Sequence, residues 1–413
     1  MKAVCIEDFR RQARKRLPPF LFHYIDGGAY DEQTYRENDQ DLQRVRLRQR
    51  VLKDVSVIDK TSTVFGQEYA LPFGLGPVGL AGMNARRGET QAARAAANSG
   101  IPFCLSTVSA CALEEVVAAD PTPFWFQLYI MRDRSFLNEM LDKATAAQCS
   151  ALMVTVDMPV PGLRRRDYST ALAGAPGVLG TMRRFAQSAS RPQWAWDVGL
   201  RGQPHTLGNV APLLGRKSGL EDFMAWMGAN FDPTVTWSDI EYIRSRWSGP
   251  LILKGILDAE DAITAKQVGA DGIVVSNHGG RQLDGVPSTI QSLPVVAAAV
   301  QGDLTVMFDG GVRSGLDIVR ALAMGADFVL LGRAWAYALG AAGQVGIERM
   351  VEVLQSEMQI AMALTGCTKL SDIGRDIISS EPDYGMSPTL ELQATSKRRH
   401  SGQTSCSERE MQT

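Results

Sequence analysis

From residue 71 onward, short apolar runs alternate with stretches in which apolar residues recur every three or four positions, the pattern of repeated strand–helix units around a parallel sheet. The runs are 73–76, 102–105, 124–129, 151–156, 251–254, 272–276, 304–309 and 328–331. Eight of them predict an α/β fold of the (β/α)8 TIM-barrel type rather than an open sheet. The helices between them carry start and stop signals. Residues 89–97 end near Gly100, and Ser314 precedes a helical pattern that stops at Gly325.

After the fourth run the rhythm breaks. From about 165 to 235, Gly, Pro and Trp come in irregular order, which predicts a long insertion after strand 4. Residues 1–70 read as a largely helical prelude and 71–365 as the barrel, within one domain spanning 1–385. Beyond 386 the chain is polar and nearly free of large apolar side chains, so burial does not offset its ordering entropy, and 386–413 is expected to be a disordered tail.

Composition narrows the class. With 413 residues, 45% of them hydrophobic, the chain can bury a large core, which excludes disorder throughout. Lys and Arg (43) nearly balance Asp and Glu (45), so no basic field argues for nucleic acid. Cys5, Cys104, Cys111, Cys149, Cys367 and Cys406 form no C-x-x-C pair, and His23, His205, His278 and His400 have no zinc-ligand spacing, so no metal is expected. The first sixteen residues lack an apolar core of the secretory type, and no run of 18 apolar residues occurs; an intracellular protein is expected, one lying on a membrane included.

In a TIM barrel the chemistry sits at the carboxyl ends of the strands. The residues at those ends are unusually polar: Pro77-Val78-Gly79, Ser106-Thr107, Gln127 with Tyr129, Thr155 with Asp157, Lys254, Ser276-Asn277-His278, Asp309-Gly310-Gly311, and Gly332-Arg333. The last two sets suit a phosphate, because glycine turns expose backbone N–H groups, helix starts lie close behind, and Arg313 and Arg333 supply charge. Gly74-Leu75-Gly76-Pro77-Val78-Gly79 matches the dinucleotide pattern G-x-G-x-x-G but fails on context: Pro77 sits inside the loop and no helix opens after it.

His278 is the only histidine at a strand end, and Arg281 lies on the same glycine-rich loop. A base beside a guanidinium suits proton abstraction from a small anionic substrate, and Asp157 at the fourth strand end could orient and charge-stabilise the imidazole. No serine or cysteine sits in a nucleophile elbow. A lysine closing an apolar strand, as Lys254 does, either forms a Schiff base or stabilises an anion. A lyase is therefore a rival on that residue alone.

These motifs closely resemble, from about residue 6 to 383, the FMN-dependent α-hydroxy acid oxidising family of glycolate oxidase, mandelate dehydrogenase and flavocytochrome-type lactate dehydrogenases. The segments that carry the resemblance run from Leu17 to Ala29, Trp125 to Tyr129, Thr155 to Pro159, Ser276 to Gly285 and Asp309 to Arg313, nearest to the bacterial respiratory lactate-oxidising branch. It implies FMN as cofactor and oxidation of L-lactate to pyruvate, with electrons passed to quinone or the respiratory chain. The alternative it implies is a soluble oxidase of lactate, glycolate or mandelate that makes hydrogen peroxide.

Residue by residue, the resemblance makes His278 the base with Asp157 behind it, and gives Tyr24, Tyr129, Arg164 and Arg281 to the substrate. Pro77, Val78, Gly79, Ser106, Gln127, Thr155, Lys254 and Ser276 would hold the flavin and ribityl groups. Asp309, Gly310, Gly311, Arg313, Gly332 and Arg333 would hold the ribose end and phosphate. Whether His278 takes the α-proton or the hydroxyl proton stays open, since both routes use the same residues. Val160-Pro161 and Arg165-Arg166 depart from the usual lactate pattern around Arg164.

The family implies a homotetramer. In the insertion, Arg164-Arg165-Arg166, Arg183-Arg184 and Arg201 mix with Trp194, Trp196, Phe223, Met224, Trp226 and Met227, content that suits an interfacial contact. Membrane-bound relatives carry their membrane segment at this place. Peripheral attachment to the cytoplasmic face of the inner membrane is expected, with the cytoplasm as the alternative.

Overall fold

The computed structural model describes residues 2–175, 177–203, 207–211, 223–300 and 302–380. The expected tail, together with His205, His400 and Cys406, lies outside the described residues. Eight parallel strands form one sheet: β1 (Phe73–Leu75), β2 (Cys104–Ser106), β3 (Trp125–Leu128), β4 (Ala151–Thr155), β5 (Leu251–Ile256), β6 (Gly272–Val275), β7 (Thr305–Phe308) and β8 (Phe328–Leu331). Strand β8 pairs with β1, and a parallel bridge from Leu75 to Phe103 joins the two ends of the sheet. The chain is a TIM barrel, and each strand falls within two residues of its predicted run.

The strands are buried along nearly their whole length, as expected when helices cover the outside and side chains fill the inside. Trp125, Met153, Ile252, Val274, Met307, Phe328 and Leu330 pack together as the barrel's inner core.

The prelude is helical only as far as residue 44, through helices Ile6–Arg16, Pro19–Asp26 and Gln33–Arg44. Beyond it, Arg46–Leu47 pairs with Ile378–Ser380, and Ser62–Val64 forms a hairpin with Gln67–Tyr69. β-branched Thr63 and Val64 lead into a two-residue turn in which Phe65 (φ 51°) and Gly66 (φ 75°) are both left-handed, a combination that favours a hairpin over a helix. Phe65 and Tyr69 meet Trp125 edge-on at 6.3 Å, and Tyr69 lies 6.1 Å from Phe328, so the hairpin plugs the amino-terminal end of the barrel.

The insertion is more regular than its sequence suggested. Helices Arg165–Ser169, Val178–Ala189, Pro192–Trp194 and Phe223–Asn230 occupy its described part, and Trp237–Arg246 restores the barrel rhythm before β5. A capping box supports that last helix, with the Thr236 N–H donating to Asp239 at 2.8 Å.

Candidate active site

A cleft enclosing about 990 Å³ of empty space, its mouth included, opens at the carboxyl end of the barrel. Its walls bring together Tyr24 from the prelude, Pro77, Val78 and Gly79 after β1, Tyr129 after β3, Arg164, Lys254, His278, Arg281, Asp309, Gly310, Gly311, Arg313, Gly332 and Arg333. Ser106, Gln127, Thr155 and Ser276 are buried at the strand ends and do not border this open space.

His278 Nδ1 lies 3.0 and 3.2 Å from the two carboxylate oxygens of Asp157. The loop reaches this position through three successive left-handed residues, His278 (φ 57°), Gly279 (φ 64°) and Gly280 (φ 70°), and a non-glycine residue there is a strained choice. Support comes from Asn277, whose side-chain amide exchanges two hydrogen bonds with that of Asn38 at 2.8 and 2.9 Å, and from the Ser276 hydroxyl, which accepts the His278 N–H at 3.0 Å. Burial lowers the His278 pKa more than the Asp157 carboxylate raises it, and Lys254 and Arg281 push the same way as burial. Burial would raise Asp157, but His278 and Lys254 outweigh it and hold the carboxyl below its usual range. A neutral imidazole with Nδ1–H directed at a carboxylate keeps Nε2 available as a base.

Lys254 lies within β5, two residues before its end and not at its close as the apolar run suggested, with its ammonium 3.0 Å from Asp309 and 2.8 Å from the Ser276 hydroxyl. Burial lowers its pKa, but Asp309 and Asp157 prevail and the net shift is upward. A charged, doubly held ammonium suits anion stabilisation and disfavours a Schiff-base nucleophile, which must be neutral.

Two guanidinium groups flank the Tyr24 ring, Arg281 at 5.0 Å and Arg164 at 5.3 Å from its centroid. Arg281 also donates to the carbonyls of Tyr24 and Gly27, and Arg164 lies 3.0 Å from the buried Asp167. Burial and the nearby charge of Arg164 push the Arg281 pKa down to about 10. Such a pair gains from an anion placed between them. Tyr129 stacks obliquely on Phe231 at 4.9 Å, and burial, with Asp157 behind it, raises its phenol pKa.

At the far end of the cleft, Gly310 (φ 106°) and Gly311 (φ 78°) turn the chain after β7, and a helix starts at Arg333 beside Gly332. A side chain at Gly332 would meet nothing within 4 Å, so the cleft has room there. Arg313 lies 3.5 Å from Asp39. Arg333 donates to the carbonyls of Ile25, Gly27 and Gly279 at 2.8–3.0 Å and so stitches the Tyr24 segment to the His278 loop.

The residues fit FMN. Gln127 Nε2, Thr155 Oγ1 and Asp309 Oδ1 are buried at the strand ends without a hydrogen-bond partner among the described residues, as expected of groups that a polar ring system satisfies. The glycine turns, Arg313 and a helix start suit its phosphate.

Sequence reasoning gave no role in the site to several groups that the fold recruits. Met158, Val108 and Met227 wall the cleft, and Gly255, Asn277 and Gln282 shape its loops. Only Asn277 and Gln282 carried a signal, as polar residues within the His278 loop.

The chain matches the family described as FMN-dependent dehydrogenase over residues 13–380. It belongs to that family. It is therefore an oxidoreductase that uses FMN. Among its relatives are L-lactate dehydrogenases of Caulobacter vibrioides, 59% identical over 90% of this chain and 96% of the relative, and of Acinetobacter baumannii, 56% identical over 92% and 98%. Its fold is similar to that of the monotopic membrane protein (S)-mandelate dehydrogenase, with TM-score 0.86, 33% identity and coverage of 92% of this chain and 100% of the other. A mandelate oxidase structure matches with TM-score 0.77 and 35% identity over 90% and 97%.

The membrane expectation for the insertion needs correction in its residues. Trp194 and Met227 are buried, Trp194 donating to the Met83 carbonyl and Met227 walling the cleft. Arg184 is buried on the carbonyls of Ala171 and Ala175, and Arg166 is held by Asp26 and Glu32. Phe223 and Met224 have side chains outside the described residues. What the insertion does expose is one helical face of Val178, Leu179, Met182 and Phe185, with Trp196 and Leu200 beyond it. No helix among the described residues is long and apolar enough to cross a membrane.

Proposed function

We propose that this chain oxidises a small L-2-hydroxy acid, with L-lactate converted to pyruvate, and delivers the electrons to quinone from the inner face of a membrane. The observation that carries the reaction is the grouping of Arg164, Arg281 and Tyr24 beside the His278–Asp157 pair. The two guanidinium groups hold the carboxylate. The Tyr24 and Tyr129 hydroxyls hold the substrate oxygen, and His278 Nε2 takes the proton while Asp157 stabilises the imidazolium.

In this reading Pro77 to Gly79, Ser106, Gln127, Thr155 and Lys254 hold the flavin ring, with Ser276 behind Lys254, and the turns at 309–313 and 332–333 hold the phosphate. When bound, FMN supplies the two-electron acceptor. The Lys254 ammonium stabilises the negative charge that reduction adds nearby. The preference for lactate over mandelate rests on the L-lactate dehydrogenase relatives at 54–59% identity. Membrane contact is supported by the apolar face at 178–185, of which Leu179 is 82% and Phe185 74% exposed, and by the monotopic neighbour.

Anaerobic titration with L-lactate and then D-lactate tests the reaction: bleaching of the flavin band by the L isomer alone is expected, and a band that neither isomer bleaches overturns it. Aerobic turnover tests the acceptor, since peroxide formed in step with pyruvate would replace quinone by oxygen. Flotation with anionic vesicles, lost in a Leu179→Ser, Phe185→Ser variant that keeps its activity, tests the membrane contact.

A further inference from the structure

Gln282 stands one residue beyond Arg281, and its side-chain amide bridges two loops of the site. Nε2 donates to the backbone carbonyls of Asp157 and Val160, both at 3.0 Å, and Oε1 accepts the backbone N–H of Gly162 at 3.0 Å. Two acceptors on one end and a donor on the other leave a single orientation for the amide. The contact is close along the backbone as well. A side chain at Gly162 would stand 2.3 Å from the Arg281 carbonyl oxygen and 2.9 Å from Gln282 Cα.

The bridged segment is the turn after β4. It begins with Asp157, the partner of His278, and leads two residues past Gly162 to Arg164. Within this turn, Pro159 and Val160 are exposed, so little packing holds it from outside. The His278 loop therefore carries the base and, four residues later, the clamp on the carboxylate that serves the base.

We propose that Gln282 is a positioning residue, which acts through the backbone of the 157–162 turn to hold Asp157 against His278. This deepens the function proposed above and rests on it. Loss of the clamp lets the turn move outward and weakens the contact of Asp157 with the imidazole. Turnover then falls, and the group titrating in the acid limb moves with it. The charged groups facing that imidazole are Asp157, Lys254 and Arg281; of these Asp157 alone raises its pKa. A looser Asp157 thus shifts the limb to lower pH.

The test uses the FMN-loaded enzyme with Gln282→Met, which keeps length and removes all three hydrogen bonds. The expected result is a loss of about tenfold or more in the rate of flavin reduction, as small misplacements of catalytic groups produce. An acid limb lowered by about half a unit and FMN content equal to the parent are expected with it. In a cycle with Asp157→Asn, the second substitution should cost less than about twofold on top of the first, because both act on one contact. An unmoved limb, or effects of the two substitutions that multiply, overturns the proposal. Should Gln282→Met fail to fold, Gln282→Glu keeps the acceptor for Gly162, loses both donated bonds and is read by its rate and the same cycle. A parent enzyme that no 2-hydroxy acid reduces would instead refute the proposed function, which separates the two failures.

Discussion

Asp157 rests directly on Gly255: a methyl group at that glycine would stand 2.5 Å from Asp157 Cβ and 2.7 Å from its Cγ. Gly255 has φ 113° and sits where the pairing of β5 with β6 shifts register, so the bulge makes the space that the carboxylate fills. Gly255→Ala should lower stability by about 1–3 kcal/mol through backbone strain and reduce turnover at least about tenfold by displacing Asp157. Urea unfolding and single-turnover flavin reduction measure the two effects, and an alanine variant with parental turnover contradicts the seating of Asp157.

The pH dependence is set by the direction of the His278 shift. The imidazole must be neutral to accept a proton, and burial, aided by Lys254 and Arg281, outweighs Asp157 and lowers its pKa from 6.5. The rate constant kcat/KM should therefore rise with pH through a group below 6.5 and be flat near neutrality. Asp157→Asn should cut kcat by about 100- to 10,000-fold with FMN retained, the range seen when a base loses its orienting carboxylate. An acid limb lying above neutrality in the parent would remove His278 from the role of base.

Arg281→Lys tests carboxylate recognition. Lysine keeps a charge but loses the planar fork that reaches the carbonyls of Tyr24 and Gly27, so KM for the hydroxy acid should rise about tenfold or more. An amide analogue of the substrate should discriminate little between the parent and the variant, whereas an equal loss for acid and amide points to general damage.

Asp26, two residues from Tyr24 but not bordering the cleft, supplies a stability test. It is buried, accepts Arg10 through both oxygens at 2.6 and 3.1 Å, and also holds Arg166 and the Tyr337 hydroxyl. Burial raises its pKa, but Arg10 and Tyr337 overcome this and bring it to about 2. The folded state therefore favours the carboxylate. Its contribution is fully present above the ordinary value near 3.8 and is lost as pH falls through about 2. Asp26→Asn should cost about 1–2 kcal/mol at neutral pH by removing the buried carboxylate that the half-buried Arg10 and Arg166 share, and the deficit should vanish below about pH 2 in urea melts.

The eight strands were legible because a strand buried on both faces reads as an unbroken apolar run, and many of the polar residues after those runs line one cleft, while Ser106, Gln127, Thr155 and Ser276 are buried without bordering it. Asp157 and His278 could be paired from sequence because each follows within three residues of a strand end. Gln282 and Gly255 act through backbone contacts between distant loops, which no periodicity records. The hairpin at 62–69 was missed although Phe65-Gly66 after the β-branched Thr63 and Val64 carried its signal. Trp194 and Met227 looked like membrane anchors because composition counts aromatic and sulfur side chains without their direction; the helices of the insertion turn both inward. The exposed face at 178–185 has ordinary helical spacing, and only burial distinguishes it.

The aromatic plug of Phe65, Tyr69, Trp125 and Phe328 gives the barrel a solid floor. A ligand seated at the mouth must leave over the rim, past carbonyls that Arg333 ties together. With FMN placed as proposed, its escape would require these bonds to open, and its residence time is expected to be set by the rim and to outlast many turnovers. Loosening the floor should melt the barrel before it frees the flavin, and loosening the rim should free the flavin from a barrel that still stands.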